Sequence, residues 1–172
     1  YGLLDRAADA VIVVDMNVPM LPIAYANGGF AALTGWSADE AVGQNCRFLQ
    51  GSVTEGAALG QLVSAVRDRS ACRIRITNVR KDGTPFLNEL TLHPVHDSEG
   101  AYRYNIGVLN DARVGGSAGV ETLRSALPQI FESELQVSRG GESYGVVEPI
   151  GQWKQYQPMT SKLMRLLWST DP

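Results

Sequence analysis

Cys72-Arg-Ile-Arg-Ile-Thr-Asn-Val79 and, after Arg80-Lys-Asp-Gly83, Thr84-Pro-Phe-Leu-Asn-Glu-Leu-Thr-Leu-His-Pro-Val95 decide the fold class. Side chains in the first stretch alternate, with Cys72, Ile74, Ile76 and Asn78 on one face and Arg73, Arg75, Thr77 and Val79 on the other. A period of two is that of a β-strand with one side turned to water. Lys81-Asp-Gly83 carries tight-turn chemistry, and Phe86, Asn88, Leu90 and Leu92 then share a face of the second strand. Asp97 to Gly100 reads as the next turn and Ala101 to Asp111 as a third strand. Long consecutive strands joined by short turns make an antiparallel meander.

Working outward, Ala10-Val-Ile-Val-Val-Asp15 and Pro22-Ile-Ala-Tyr-Ala26 predict two shorter strands ahead of the meander. Between Asn27 and Gln50 the spacing predicts short helical pieces. Asn27 can cap one, Ser37-Ala-Asp-Glu40 has capping-box spacing, and Gly35 and Gly43 punctuate them. Thr54-Glu55 can cap a longer helix to about Arg69, with Ala58, Leu59, Leu62, Val63 and Val66 at helical spacing. The sum is an α+β domain over residues 1–113, with a five-stranded antiparallel sheet and short helices on one face. Val114-Gly-Gly-Ser-Ala-Gly119 has linker composition. Residues 114–172 are expected to be a linker and a largely helical extension, with an apolar stripe at Leu123, Leu127, Ile130 and Phe131, interrupted by Pro128, and a terminal amphipathic helix around Met159, Leu163, Leu166 and Leu167.

Composition narrows the function classes. Of 172 residues 44% are hydrophobic and 19% charged, ordinary for a compact globular protein. A net charge of −3 argues against a nucleic-acid face. No apolar run approaches the roughly 20 residues that span a bilayer, so the expectation is a cytoplasmic protein without a membrane segment. The two cysteines, Cys46 and Cys72, lack metal-site spacing and paired histidines, so neither a metal centre nor a disulfide is expected. No Ser/His/Asp set, phosphate loop or dinucleotide fingerprint points to an enzyme.

The chemistry is carried by Gly43-Gln-Asn-Cys-Arg-Phe-Leu-Gln50. This segment resembles the GxNCRFLQ signature of LOV (light, oxygen, voltage) domains, the blue-light receptors of the PAS superfamily. The resemblance runs from about Ile12 to Asp111, through Tyr25-Ala-Asn27, Thr34-Gly35, Asn78, Arg80-Lys-Asp-Gly83, Phe86-Leu-Asn88 and Gly107-Val108. It implies a PAS fold around a flavin, with FMN as first choice and FAD or riboflavin as alternatives. It also implies that the thiol of Cys46 forms a reversible light-driven bond to flavin C4a, which is signalling chemistry and not turnover. Asn45, Arg47 and Gln50 would then meet the ribityl chain or phosphate, and Leu49, Leu90 and Leu92 would pack on the ring.

Residue chemistry suits these tasks. Sulfur is nucleophilic and polarizable, so a cysteine can bond reversibly to an electrophilic ring carbon; a lone intracellular cysteine is otherwise most often a buried structural thiol. Cys72, in an alternating strand, has a plain reading as core, edge packing or incidental exposure. Arg47 offers a planar fork to phosphate, or else is a surface cation. Asn78 and Asn88 share a face with apolar residues, where an unpaired amide costs about 1–3 kcal/mol, and a carboxamide can both donate to and accept from a flavin's pyrimidine edge.

The sequence departs from the family at three positions. The usual glutamine of the last strand is Leu109, which cannot reorient an amide, and the neighbouring Asn110 points to the other face unless a bulge intervenes. Val63 stands where many members carry a second phosphate-binding arginine. Asn105 replaces an aromatic residue. A non-photochemical PAS ligand-binding or interaction module is therefore the competing reading. The apolar residues after Val114 suggest a homodimer or packing on the sheet, with a light-dependent change in either, and an effector protein or domain as further partner.

Overall fold

A computed structural model describes residues 4, 9–96 and 100–114 of the chain. The predicted extension over 115–172 lies outside the described residues. Five strands form one antiparallel sheet: β1 (Ala10–Asp15), β2 (Ile23–Ala26), β3 (Cys72–Val79), β4 (Pro85–His96) and β5 (Tyr102–Asp111). Their spatial order is β2-β1-β5-β4-β3, so the first and last strands lie side by side in the middle. Pairings are antiparallel throughout, with Ile74 opposite Leu90, Leu90 opposite Leu109, and Leu109 opposite Ala10. The predicted meander is β3-β4-β5.

The helices lie over one face, here called inner. Ile12, Val14, Ile74, Ile76, Leu90, Leu92 and Leu109 from the sheet form one buried cluster with Phe30, Ala41, Leu49 and Ala58 from the covering segments. On the opposite face β3 meets water through Arg73 and Arg75, as its alternation implies. The middle of the sheet does not: Val11, Val13, Tyr104, Ile106 and Val108 are buried there as well. This explains why β1 reads as a continuous apolar run.

Local chemistry fixes the covering segments. Asn27 caps α1 (Gly28–Thr34), its Oδ1 accepting from the Phe30 and Val11 amides at 2.9 Å while Nδ2 donates to the Leu4 and Asp9 carbonyls. A side chain at Gly29 would place Cβ 2.5 Å from the Asp9 oxygen, so only glycine permits this approach of helix to strand. Ser37 and Glu40 form the expected capping box on α2 (Ala38–Ala41). The long helix, α3 (Gly56–Arg67), differs in its start: Glu55 is the N-cap residue but makes no side-chain cap. Its carboxylate instead accepts from the Thr77 amide (2.8 Å) and hydroxyl (2.7 Å), and the Thr54 hydroxyl donates to the Thr77 carbonyl at 2.7 Å. The capping residues are thus used to pin the helix to the edge strand. Among the described residues no helix is long and apolar enough to cross a membrane, and no His/Cys/Asp/Glu group could hold a metal ion.

Candidate functional site

The segment that carries the thiol is fastened to the sheet at both ends. The Gly43 amide donates to the Ile23 carbonyl and the Ile23 amide to the Gln44 carbonyl, each at 2.8 Å, so the segment starts from β2. Residues Cys46–Leu49 form a 3-10 turn capped by Asn45, whose Oδ1 accepts from the Arg47 amide at 3.0 Å. Asn45 Nδ2 donates to the Met20 carbonyl at 2.6 Å, tying the turn to the bend where Met20 and Leu21 take positive φ. Asn45 thus uses both ends of its carboxamide to hold the turn against that bend. At the far end the Leu49 carbonyl accepts from Asn78 Nδ2 at 3.1 Å, which joins the turn to β3.

Cys46 is half-buried and packs against the inner cluster. Burial pushes its thiol pKa up, opposed by its own backbone amide and the Arg47 charge. At neutral pH the group is a thiol, holding both the sulfur and the proton. Burial also raises the Cys72 pKa, although this cysteine too is only half-buried against the cluster, opposite Leu92. It lies on the edge strand, on the same inner face as the cluster.

Asn78 and Asn88 are buried at 5% and 1% exposure amid apolar side chains. Asn88 Nδ2 donates to Asn78 Oδ1 at 2.8 Å, and Asn88 Oδ1 accepts from the Asn110 amide at 3.3 Å. Each carboxamide nitrogen carries two hydrogens and uses one, so both keep a donor available beside their acceptors. This donor set, on an apolar face and within one covering layer of a thiol, fits the alternating edge of a flavin ring. Leu90 and Leu92 flank it on the same strand face, and Leu49 covers it from the turn. Leu59, Leu62 and Val66 of α3 also face the cluster but stay half-buried; on that helix only Ala58 and Ala65 are buried.

Arg47 is exposed beside the Met20 sulfur (3.9 Å), and Gln50 is half-buried. Val63 is 60% exposed on α3, so the helix presents no cation at that position. Leu109 points into the inner cluster at 2% exposure. Pairing along β4 and β5 is regular from Asn88 to Val95, so Asn110 takes the opposite face as the alternation requires. It lies beside Asp9, whose carboxyl pKa is raised by burial and partly lowered by the Asn110 amide. Asn105, which replaces an aromatic residue, pairs with Val14 and so lies on the inner face. Counting alternation back from Leu109 would have found it.

Comparison with known proteins agrees with this arrangement. The PAS domain family profile matches residues 8–113. A blue-light photoreceptor of Listeria monocytogenes is 36% identical over 148 residues, covering 86% of this chain and 58% of the relative. The LOV domain of a blue-light activated histidine kinase from Erythrobacter litoralis EL346 superposes with a TM-score of 0.58 at 35% identity, covering 60% of this chain and 95% of that one. The light-state dimer of the fungal blue-light photoreceptor Vivid gives a TM-score of 0.58 at 30% identity, over 60% of this chain and 77% of that one. The chain spans about half the length of the curated relatives it matches first.

Proposed function

The chain belongs to the PAS domain family as a LOV-type domain, and from that premise we propose that it is a blue-light sensor whose flavin lies between the inner sheet face and the 43–50 segment. It is a sensory module and not an enzyme. The observation that carries the reading is the convergence of Cys46, the Leu49 carbonyl and the Asn78–Asn88 pair on one apolar face. A bound flavin supplies, on absorbing blue light, a reactive ring carbon and a basic ring nitrogen. Cys46 supplies the sulfur and proton for a reversible covalent bond to that carbon. Asn78 and Asn88 hold and orient the pyrimidine edge, Leu49, Leu90, Leu92 and Leu109 exclude water, and Asn45 fixes the turn that presents the thiol. Arg47 and Gln50 serve the ribityl and phosphate end.

FMN is the proposed flavin, because Arg47 provides one guanidinium at that end. With Val63 in place of a second cation, riboflavin and FAD should bind with less disadvantage than two arginines would impose. Reconstitution of the flavin-free protein with each of the three tests this. FMN should bind most tightly, and a preference for riboflavin would remove Arg47 from the site. For output we propose a light-dependent change in packing or dimerisation of the residues after Val114. This rests on the apolar stripe at Leu123, Leu127, Ile130 and Phe131, with effector kinases and light-state dimers among similar proteins as precedent.

A further inference from the structure

The inner face has a second polar group, at the opposite end of the sheet from Asn78 and Asn88. Asn105 is 3% exposed. Its cross-strand partners are Val14 and Pro94, in the same row of the sheet as Ile23, to which the 43–50 segment is fastened. Asn105 Nδ2 donates to the Tyr102 hydroxyl at 2.9 Å, while Oδ1 is buried without a protein partner among the described residues. Exchanging the two amide positions would orphan the nitrogen instead, so one polar atom stays unpaired either way. Such an atom is costly in an apolar layer unless something polar meets it.

Tyr102 shows what that something is. Its hydroxyl accepts from Asn105 and has its own hydrogen to give, because the phenol stays protonated: burial raises its pKa, against the Asn105 hydrogen bond and the Arg69 charge, with Cys72 raising it further. The free Tyr102 hydrogen and the free Asn105 oxygen therefore sit on bonded neighbours. One water molecule that accepts from the first and donates to the second satisfies both, and two partners are enough to hold a buried water. Tyr102 is only half-buried, with the His96 ring at 5.6 Å and the Arg69 guanidinium at 6.0 Å from its ring, so its outer edge reaches solvent.

We infer that Asn105 and Tyr102 hold a bridging water at this end of the inner face, and that the water admits solvent protons to the layer that contains Cys46. The second clause rests on the proposed light-sensing function. Return to the dark state would break the Cys46 sulfur–carbon bond with the electron pair leaving on sulfur, and one proton would pass from the ring nitrogen to that sulfur. No proton is consumed overall, so a water has only to carry it.

The test uses the full chain with FMN, alongside Asn105→Leu, Asn105→Ser and Tyr102→Phe. A high-resolution crystal structure should show a water in hydrogen-bond contact with Asn105 Oδ1 and the Tyr102 hydroxyl. Proton NMR of the flavin-free protein should show exchange between bound water and the Asn105 side-chain amide. In Asn105→Leu the water should vanish and dark recovery should slow several-fold, with added imidazole restoring the rate. Asn105→Ser, which keeps a hydroxyl, should recover faster than Asn105→Leu, and Tyr102→Phe should fall between wild type and Asn105→Leu. An Asn105 carboxamide paired wholly with protein atoms overturns the inference, as does unchanged recovery in Asn105→Leu. A chain that binds no flavin refutes the functional reading and the proton path with it, while the crystal and NMR measurements still decide the water.

Discussion

Replacing Asn88 with leucine isolates what the buried amide pair contributes. The two side chains are close in size, so packing at a site of 1% exposure changes little. Hydrogen bonding changes more: Asn78 Oδ1 loses its donor at 2.8 Å and the Asn110 amide loses its acceptor at 3.3 Å. The first loss should cost about 1–3 kcal/mol, and the second, a longer bond, less, which together give roughly 2–3 kcal/mol in the flavin-free protein. For a domain of this size that is a fall of roughly 10–20 °C in Tm. Asn78→Leu should cost a similar amount by freeing the Leu49 carbonyl. The Asn78→Leu/Asn88→Leu protein removes both halves of the shared bond, so its loss should fall short of the sum by about 1–2 kcal/mol. Flavin binding should also be weakest in the double variant, which keeps neither amide for the ring. Equilibrium urea titration of the flavin-free proteins and flavin titration by absorbance measure the two quantities. Strict additivity of the stabilities would refute the pairing, and undiminished flavin affinity in the double variant would refute its role in holding the ring.

Four other outcomes follow from the same geometry. Cys72→Ala should leave the photoreaction and the flavin spectrum intact, and a loss of bleaching there would move the chemistry to the second sulfur. Leu109→Gln places an amide in the inner cluster, so it should lower flavin-free stability by about 1–2 kcal/mol yet shift the flavin absorption band once ligand gives the amide a partner; a silent spectrum would separate position 109 from the ring. Gly29→Ala brings a methyl against the Asp9 carbonyl and should lower Tm by several degrees, readable by calorimetry. Burial raises the Cys46 pKa above its unfolded value, so its contribution to stability is complete below the unfolded pKa of about 8.5 and is lost as pH rises through the folded pKa. Flavin-free wild type should therefore lose more stability than Cys46→Ser between neutral pH and pH of about 10, and equal losses would mean the thiol is not enclosed.

Much of this was legible in the chain, for physical reasons that differ from element to element. Alternation at Cys72–Val79 and the turn at Lys81-Asp-Gly83 dictate a half-exposed edge hairpin, and the strands follow them closely. Asn27 and Ser37 announce their helices because capping is local chemistry. Thr54 and Glu55 carry the same local signal but are taken by Thr77, a partner 22 or more positions away that spacing along the chain cannot reveal. Burial on both faces left a trace in the continuous apolar run of β1 but was hidden in β5, which the sheet order puts at the centre although it closes the domain. Within the candidate site, the motif singles out Cys46, strand parity singles out Asn78 and Asn88, and the family's last-strand pattern singles out Leu109. The same parity puts Asn105 on the inner face, but only the folded row Ile23–Val14–Asn105 aligns it with the strand to which the thiol segment is fastened.

The proposed function depends on Cys46 reacting with a flavin held on the inner face. The most direct test is a light-minus-dark absorption spectrum of the purified chain, followed through recovery in darkness, beside the same spectrum of Cys46→Ala. Both proteins should be yellow, with reversible loss of the blue-absorbing band in wild type and none in Cys46→Ala. A colourless wild type that takes up no added flavin, or bleaching that persists in Cys46→Ala, would contradict it.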